Sequence, residues 1–194
     1  MTGPTRNHHT RDRPRKDLTS HYGAGERGYS AFMTTPDFIL ALREKIGNHP
    51  LWLSGITAVV VRDEDVLLVR RADNGQWTPV TGIIDPGEEP AVAAVREVEE
   101  EADVIAAAER LVWVGVTPPT EYENGDRSQY LDLVFRLRWV SGDPSPADGE
   151  NTEADWFSLD ALPEMSEDMR NRVQVAVDNR PEAQFNVMNR EFSI

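Results

Sequence analysis

Hydrophobic and polar positions alternate along the chain with two periods. Phe38, Leu42 and Ile46 stand four apart between Thr35-Pro36 and Gly47. Thr35 is suited to the N-cap, Pro36 to the first helical position and Gly47 to a stop, so this segment predicts a helix. Residues 56–61 and 66–69 are apolar runs separated by Asp63-Glu64-Asp65, the pattern of a hairpin. Asn74-Gly75 marks a turn before residues 77–84, and Asp85-Pro86-Gly87 marks another. A helix is expected over 89–102 and strands over 111–116 and 130–140. The last of these alternates at Leu131, Leu133, Phe135, Leu137 and Trp139. Asn124-Gly125 falls in the connection between those two strands. A Pro/Gly/Asp loop over 143–150 precedes a short strand at 154–157, and Met169, Val173 and Val177 mark a helix over 166–177. No segment repeats. Irregular alternation of strands and helices predicts an α/β domain around a mixed sheet.

Composition narrows the picture. With 39% hydrophobic and 28% charged residues, the chain has enough apolar material to bury a core. The absence of cysteine excludes disulfides, thiolate metal sites and a thiol nucleophile. The formal net charge is −14, which is opposite in sign to the electrostatic footprint of a nucleic-acid binder. No apolar stretch approaches the ~18 residues of a membrane span. The charge is uneven: residues 1–33 carry six bases and three acids, a net of +3 against −17 in the remainder. That segment is rich in Gly, Pro, Thr and His, lacks apolar periodicity and lacks a secretory h-region. The expected organisation is a disordered extension over 1–34, a domain over 35–180 and a tail over 181–194, in a cytoplasmic protein. Met33 is an alternative translation start. His8 and His9 have no partners at ligand spacing.

The helix after Pro86 carries the chemistry. Ala91, Ala94, Val95, Val98 and Ala102 form one apolar stripe, while Glu97, Glu100 and Glu101 share a different face. Glu99 and Asp103 bring the total to five acids in seven residues. Like charges four apart cost a few tenths of a kcal/mol, and the partial negative charge at a helix C-terminus disfavours further anions. A solvated acidic face is the ordinary explanation; a hard divalent cation held by carboxylate oxygens is the other. Spacing separates the two. Gly82, Glu88, Arg96-Glu97 and Glu100-Glu101 fix six positions within twenty. Composition alone would produce that pattern on the order of 10⁻⁴ times per chain.

Residues 82–104 resemble the Nudix box, G-x5-E-x7-R-E-U-x-E-E-x-G-U with U aliphatic; Val98 and Val104 fill the aliphatic positions. Asp103 stands where the box has Gly, at a helix end that Asp tolerates better than most residues. Trp77-Thr78-Pro79-Val80-Thr81 also differs from the commoner W-x-L-P-G. With the flanking strands and Trp156-Phe157…Leu162-Pro163, the resemblance covers about residues 51–163. It implies a Nudix-type α/β/α sandwich with a mixed β-sheet. It also implies Mg²⁺-dependent hydrolysis (Mn²⁺ as a substitute) of a nucleoside diphosphate linked to another moiety: an ADP-ribose-like compound, a dinucleotide or a nucleoside triphosphate. Carried over, Glu97, Glu100, Glu101 and the Gly82 carbonyl would hold metal, so that metal-activated water attacks the pyrophosphate. Arg96 would orient a glutamate through a bidentate ion pair and Glu88 would support the loop–helix junction.

Outside the box the assignments stay open. Glu150 and Glu153 are candidates for an additional ligand or base, as are Glu121 and Glu123. Arg70, Arg71 and Arg127 are candidates for meeting phosphate, though adjacent strand residues face opposite ways, so at most one of Arg70 and Arg71 should do so easily. Tyr122, Trp77 and Tyr130 could stack on a base or simply cover the sheet. The partner implied is a small nucleoside diphosphate derivative, with no nucleic acid and no membrane; a homodimer through the 36–46 helix is compatible with the family. A catalytically inactive nucleotide-sensing module is the alternative function. The intact Glu97, Glu100 and Glu101 favour the enzyme.

Overall fold

Seven consecutive buried residues, 55–61, form the middle of a strand, β1 (Leu51–Arg62), that has neighbours on both edges and helices on both faces. Burial on both faces is why this segment reads as a continuous apolar run rather than an alternation. The computed structural model describes residues 35–178 and 180–186. The extension over 1–34, with His8, His9 and Met33, lies outside the described residues.

In chain order the elements are α1 (Asp37–Ile46), β1, β2 (Asp65–Arg71), β3 (Trp77–Thr78), β4 (Val80–Ile83), α2 (Pro90–Ala102), β5 (Ile105–Val116), β6 (Thr120–Glu121), β7 (Arg127–Ser141), β8 (Asn151–Ser158), α3 (Glu167–Val177) and β9 (Gln184–Phe185). The sheet runs β3-β2-β1-β7-β5-β9, with β4 on β1, β6 on β7 and β8 on β2. β1 and β7 are parallel and most other pairings antiparallel, so the sheet is mixed. Ile56, Ala58, Val60, Leu67, Val69, Phe135 and Leu137 pack under Ala93, Ala94, Val98 and Ala102 of α2. On the opposite face Val59, Val61, Val66, Leu68, Val112 and Val134 pack under Val173 and Ala176 of α3. The α/β/α sandwich expected from the sequence is the observed architecture.

The differences from the sequence reading have local causes. Pro36 is itself the N-cap of α1, with extended ψ of 143°, so Thr35 and Pro36 each sit one position earlier than expected. The 38/42/46 stripe does not form the buried face: Ile39 is buried, while Leu42 and Ile46 are 40% and 42% exposed. Arg43 decides the helix orientation. Its guanidinium donates to the carbonyls of Gly47, His49 and Arg127, at 3.1, 2.6 and 2.9 Å. Pro79 divides the 77–84 segment in two, with Trp77–Thr78 on β2 and Val80–Ile83 on β1. Residues 105–110, alanine-rich and helix-favouring, are strand because β7 pairs along them; sheet context overrides weak propensity. Residues 184–185, assigned to the tail, add a parallel strand beside Trp113 and Val114.

A buried ion pair locks α3 to the sheet. Arg172 is 2% exposed and its Nε donates to Asp132 Oδ2 at 2.7 Å. Thr57 Oγ1 donates to the same carboxylate, Asp168 pairs with the guanidinium, and the Trp113 ring lies 4.9 Å beneath it. A Cβ on Gly115 would fall 2.3 Å from that indole, so glycine is required for the ring to lie there. Burial pushes the Asp132 carboxyl up, and Arg172 and Thr57 oppose the shift. Removing one charge should strand the other. Arg172→Leu is expected to lower stability by about 3–5 kcal/mol in urea unfolding.

Candidate active site

The site begins at a turn that glycine permits. Gly87, with φ +87°, reverses the chain between β4 and α2. Glu89 is the N-cap in extended conformation and Pro90 starts the helix, where a missing N–H is no loss. The helix ends at Asp103, left-handed at φ +53°, whose N–H reaches the Glu99 carbonyl. Asp thus occupies the conformation that the box assigns to Gly. With the apolar stripe on the sheet, Glu97 turns toward β4 and Glu101 toward the start of β8, while Glu100 stays more exposed beside Arg96.

Arg96 organises these acids. Its Nε and Nη2 donate to the two oxygens of Glu88 at 2.8 and 3.0 Å. Nη1 donates to Glu97 at 2.9 Å and to Glu100 at 2.8 Å. Glu88 in turn accepts from the Asp85 N–H at 3.2 Å, which ties the turn to the helix. The fork holds the Glu88 carboxyl below its ordinary range. Glu97 lies flat on Gly82: a Cβ there would sit 2.1 Å from the Glu97 carboxyl carbon. Burial pushes Glu97 up to about 7; Arg96 opposes this, while Glu100 and Glu150 add to it. Glu101 is only 4% exposed and accepts from Asn151 Nδ2 at 2.8 Å. Burial raises its carboxyl well above the usual range, against the Asn151 bond and with Glu97, Glu150 and Asp148 adding to the rise.

This donor set suits a hard divalent cation. Glu97, Glu100, Glu101 and the Gly82 carbonyl offer oxygens alone, and the burial of Glu97 and Glu101 leaves anionic forms that one guanidinium does not neutralise. Among the described residues no three acidic or imidazole side chains are already gathered as a ligand set. Arg96 holds Glu97 and Glu100 in its own fork instead.

The remaining candidates divide into two groups. The β2–β8 pairing shifts register so that Arg70 faces Glu153 and Arg71 faces Asn151, leaving Thr152 as an extra residue. Such bulges re-aim side chains beside functional sites. Here the bulge brings the start of β8 to the carboxylates: Glu150 acts on Glu97 and Glu101. Arg71 stays on the same side, within electrostatic reach of Glu101 and Tyr122. Tyr122 shares a hydroxyl–hydroxyl hydrogen bond of 2.8 Å with Tyr130.

Three candidates are engaged elsewhere. Arg70 and Glu153 pair with each other at 2.7 Å as cross-strand neighbours. Arg127 donates to the Asn48 carbonyl at 3.3 Å, beside the α1–β1 loop. Glu121 and Glu123 are exposed. Trp77 stacks edge-on against Phe157 at 4.7 Å, so it covers the sheet. Asn151, Asp73 and Asp148 also belong to the site, and sequence reasoning passed over them. The β2–β8 register brings Asn151 in across a long separation, whereas Asp73 sits two residues from Arg71 in the turn after β2 and belongs to no motif.

Fold and site together define an α/β/α sandwich with an oxygen-donor cluster on α2. The chain belongs to the Nudix family: the NUDIX domain matches residues 53–176. It is 34% identical over 118 residues to the NAD-capped RNA hydrolase NudC of Pseudomonas aeruginosa, covering 60% of this chain and 40% of that protein. The matched segment thus spans about two fifths of that relative's length. It is 28% identical to the ADP-ribose pyrophosphatase of Methanocaldococcus jannaschii over 58% of this chain and 66% of that one. The crystal structure of an ADP-ribose pyrophosphatase from Streptococcus suis superposes with a TM-score of 0.54 at 22% identity, over 69% of this chain and 96% of that one, a likeness of fold.

Asn151 holds a ligand candidate without being one. Asn151→Ala is expected to weaken Mn²⁺ binding by about 10- to 100-fold in calorimetry while leaving the fold intact.

Proposed function

We propose that this protein is a Mg²⁺- or Mn²⁺-dependent pyrophosphohydrolase. Its substrate would be a nucleoside diphosphate linked to another moiety, such as an ADP-ribose-like compound, a dinucleotide or a nucleoside triphosphate. The observation that carries this is the pair of desolvated carboxylates, Glu97 against Gly82 and Glu101 on Asn151, inside the Arg96 frame. Local physics opposes such a cluster unless a cation belongs in it. Family membership supports the same chemistry, and the Methanocaldococcus relative, named an ADP-ribose pyrophosphatase, falls within this substrate class.

Glu97, Glu100, Glu101 and the Gly82 carbonyl would hold the ion. When bound, it supplies charge neutralisation for the diphosphate and makes water more acidic. The protein's share is positioning. Arg96 fixes Glu97 and Glu100 relative to the Glu88-braced turn, and Asn151 fixes Glu101. In the overall reaction water adds to phosphorus, the anhydride P–O bond breaks and one proton is released. Of the carboxylates outside the box, Glu150 is the one whose position beside Glu97 and Glu101 supports a role as extra ligand or base. Phosphoryl transfer needs little else from a protein. A cytoplasmic setting belongs to the same proposal; among the described residues no helix is long and apolar enough to cross a membrane.

Two measurements test the reading. Chromatographic identification of products from ADP-ribose and a nucleotide panel should find Mg²⁺-dependent cleavage at the diphosphate. Glu101→Gln should reduce kcat by about 10³-fold or more, as expected when a charge-stabilising group is lost. Turnover that persists in EDTA would sink the mechanism, and nucleotide binding without products would make the chain a sensor. The second concerns pH. The metal-free Glu97 carboxyl is pushed up to about 7, so protons compete with the ion below that value. Mn²⁺ affinity should therefore rise from about pH 6 to pH 8, with proton release detectable by calorimetry in two buffers. The metal-free fold should move the other way. A raised carboxyl favours the folded state while protonated, so its contribution is lost as pH climbs through about 7, and Mn²⁺ should restore it.

A further inference from the structure

The rim of the carboxylate site consists of groups whose charge is already committed. Arg71 donates to both oxygens of Asp73, at 2.9 and 2.6 Å. Burial disfavours its charge and the Asp73 carboxylate outweighs that effect. Arg96 is spent on Glu88, Glu97 and Glu100, and Arg70 on Glu153 and the Gly75 carbonyl. The sequence has two lysines, Lys16 and Lys45. Lys45 stands exposed on α1, and Lys16 lies outside the described residues. Opposite these arginines, Asp148 and Glu150 bear on Glu101. The other rim feature is neutral: the hydroxyls of Tyr122 and Tyr130, with Tyr122 within electrostatic reach of Arg71 and Asp73.

The hydroxyl pair sits on a braced loop. The Tyr122 N–H donates to the Asp126 carbonyl at 2.9 Å and the Gly125 N–H to the Tyr122 carbonyl at 2.8 Å. Arg43 then pins the same loop through Asp126, at 3.2 Å, and the Arg127 carbonyl. A terminal phosphate is recognised by guanidinium or ammonium groups free to meet its oxygens. Here the arginine on the rim is occupied and the surrounding charge is negative. A sugar asks instead for neutral donors and acceptors, which paired phenols supply.

We infer that the moiety beyond the diphosphate is a sugar with no negative charge of its own, and that Asp73, by occupying Arg71, selects it over a terminal phosphate together with the Tyr122–Tyr130 pair. This rests on the proposed hydrolysis of a nucleoside diphosphate derivative. ADP-ribose and ATP share their nucleoside and differ in that moiety, so they are the probes.

With wild-type protein in MgCl₂, kcat/KM for ADP-ribose should exceed that for ATP by about 10- to 100-fold. Asp73→Asn removes the carboxylate charge that offsets Arg71 and should raise the ATP:ADP-ribose ratio by about tenfold or more. Tyr122→Phe should raise KM for ADP-ribose and leave kcat nearly unchanged. Equal or better use of ATP by the wild type, or a ratio unmoved by Asp73→Asn, would overturn the inference. Calorimetric binding of both probes to Glu101→Gln reads the same preference without turnover. If the wild type releases no product, the catalytic reading fails while binding still decides selectivity: tighter binding of ADP-ribose than of ATP supports it, and tighter binding of ATP, equal binding or no binding of either overturns it.

Discussion

The structure depends on one electrostatic arrangement, a single guanidinium set among three carboxylates at the junction of a turn and a helix. Arg96 bonds Glu88 on one side and Glu97 and Glu100 on the other, so the turn after β4 and the face of α2 become one unit. Lysine could not do this; its ammonium is a point donor without a planar fork. Arg96 compensates only part of the negative charge. Glu97 and Glu101 remain desolvated, with carboxyls raised by burial. A buried charge left without full compensation destabilises a fold. The rest of the structure can be understood as the scaffold that tolerates this.

That scaffold works by covering both faces of one sheet. β1, buried above and below, carries Gly55 to Val61 between the two helices and pairs with the strand that ends at the site. Its partner β4 delivers Gly82 under Glu97, where any side chain would collide with the carboxylate. On the far face Arg172 and Asp132 close the sandwich with a second ion pair, deeper than the first and remote from solvent. The two pairs differ in kind. Asp132 has its counter-charge in contact and a hydroxyl donor besides, so its negative charge is answered within the protein. Glu101 has a neutral amide as its hydrogen-bond donor.

What could be read from the sequence was whatever is local. The α2 stripe, its five acids and the Gly82–Glu88–Arg96 spacing all lie within about two dozen residues, where helical periodicity alone fixes relative placement. The sandwich was legible for the same reason, since each strand and helix announces its own period. Features set by strand register were not. Asn151 reaches the site through a bulge at Thr152, and nothing in the 151–158 segment signals a shift of one residue. Arg70 and Arg71 could not be told apart by composition; the pairing with Glu153 and with Asp73 separates them. α1 shows the converse error. Its apolar stripe was plain in the sequence, yet the helix is oriented by Arg43 reaching five backbone and side-chain partners in the loops beside it.

The acidity of the whole chain acquires a local meaning from this arrangement. A net charge of −14 is hard to reconcile with a site for polyanionic phosphates if the charge is viewed as an average. The average is misleading, because interactions beyond a Debye length of about 8–10 Å are largely screened. What a diphosphate would meet is the short-range balance at the C-terminal end of β2 and along α2. There the arginines are already neutralised and the carboxylates outnumber them. On the proposed reading, affinity for a phosphate would enter through a cation recruited by the carboxylates, and the surrounding acids would penalise any anionic charge that the cation does not reach. Cation recruitment and substrate discrimination, as proposed, would then be two consequences of one charge distribution.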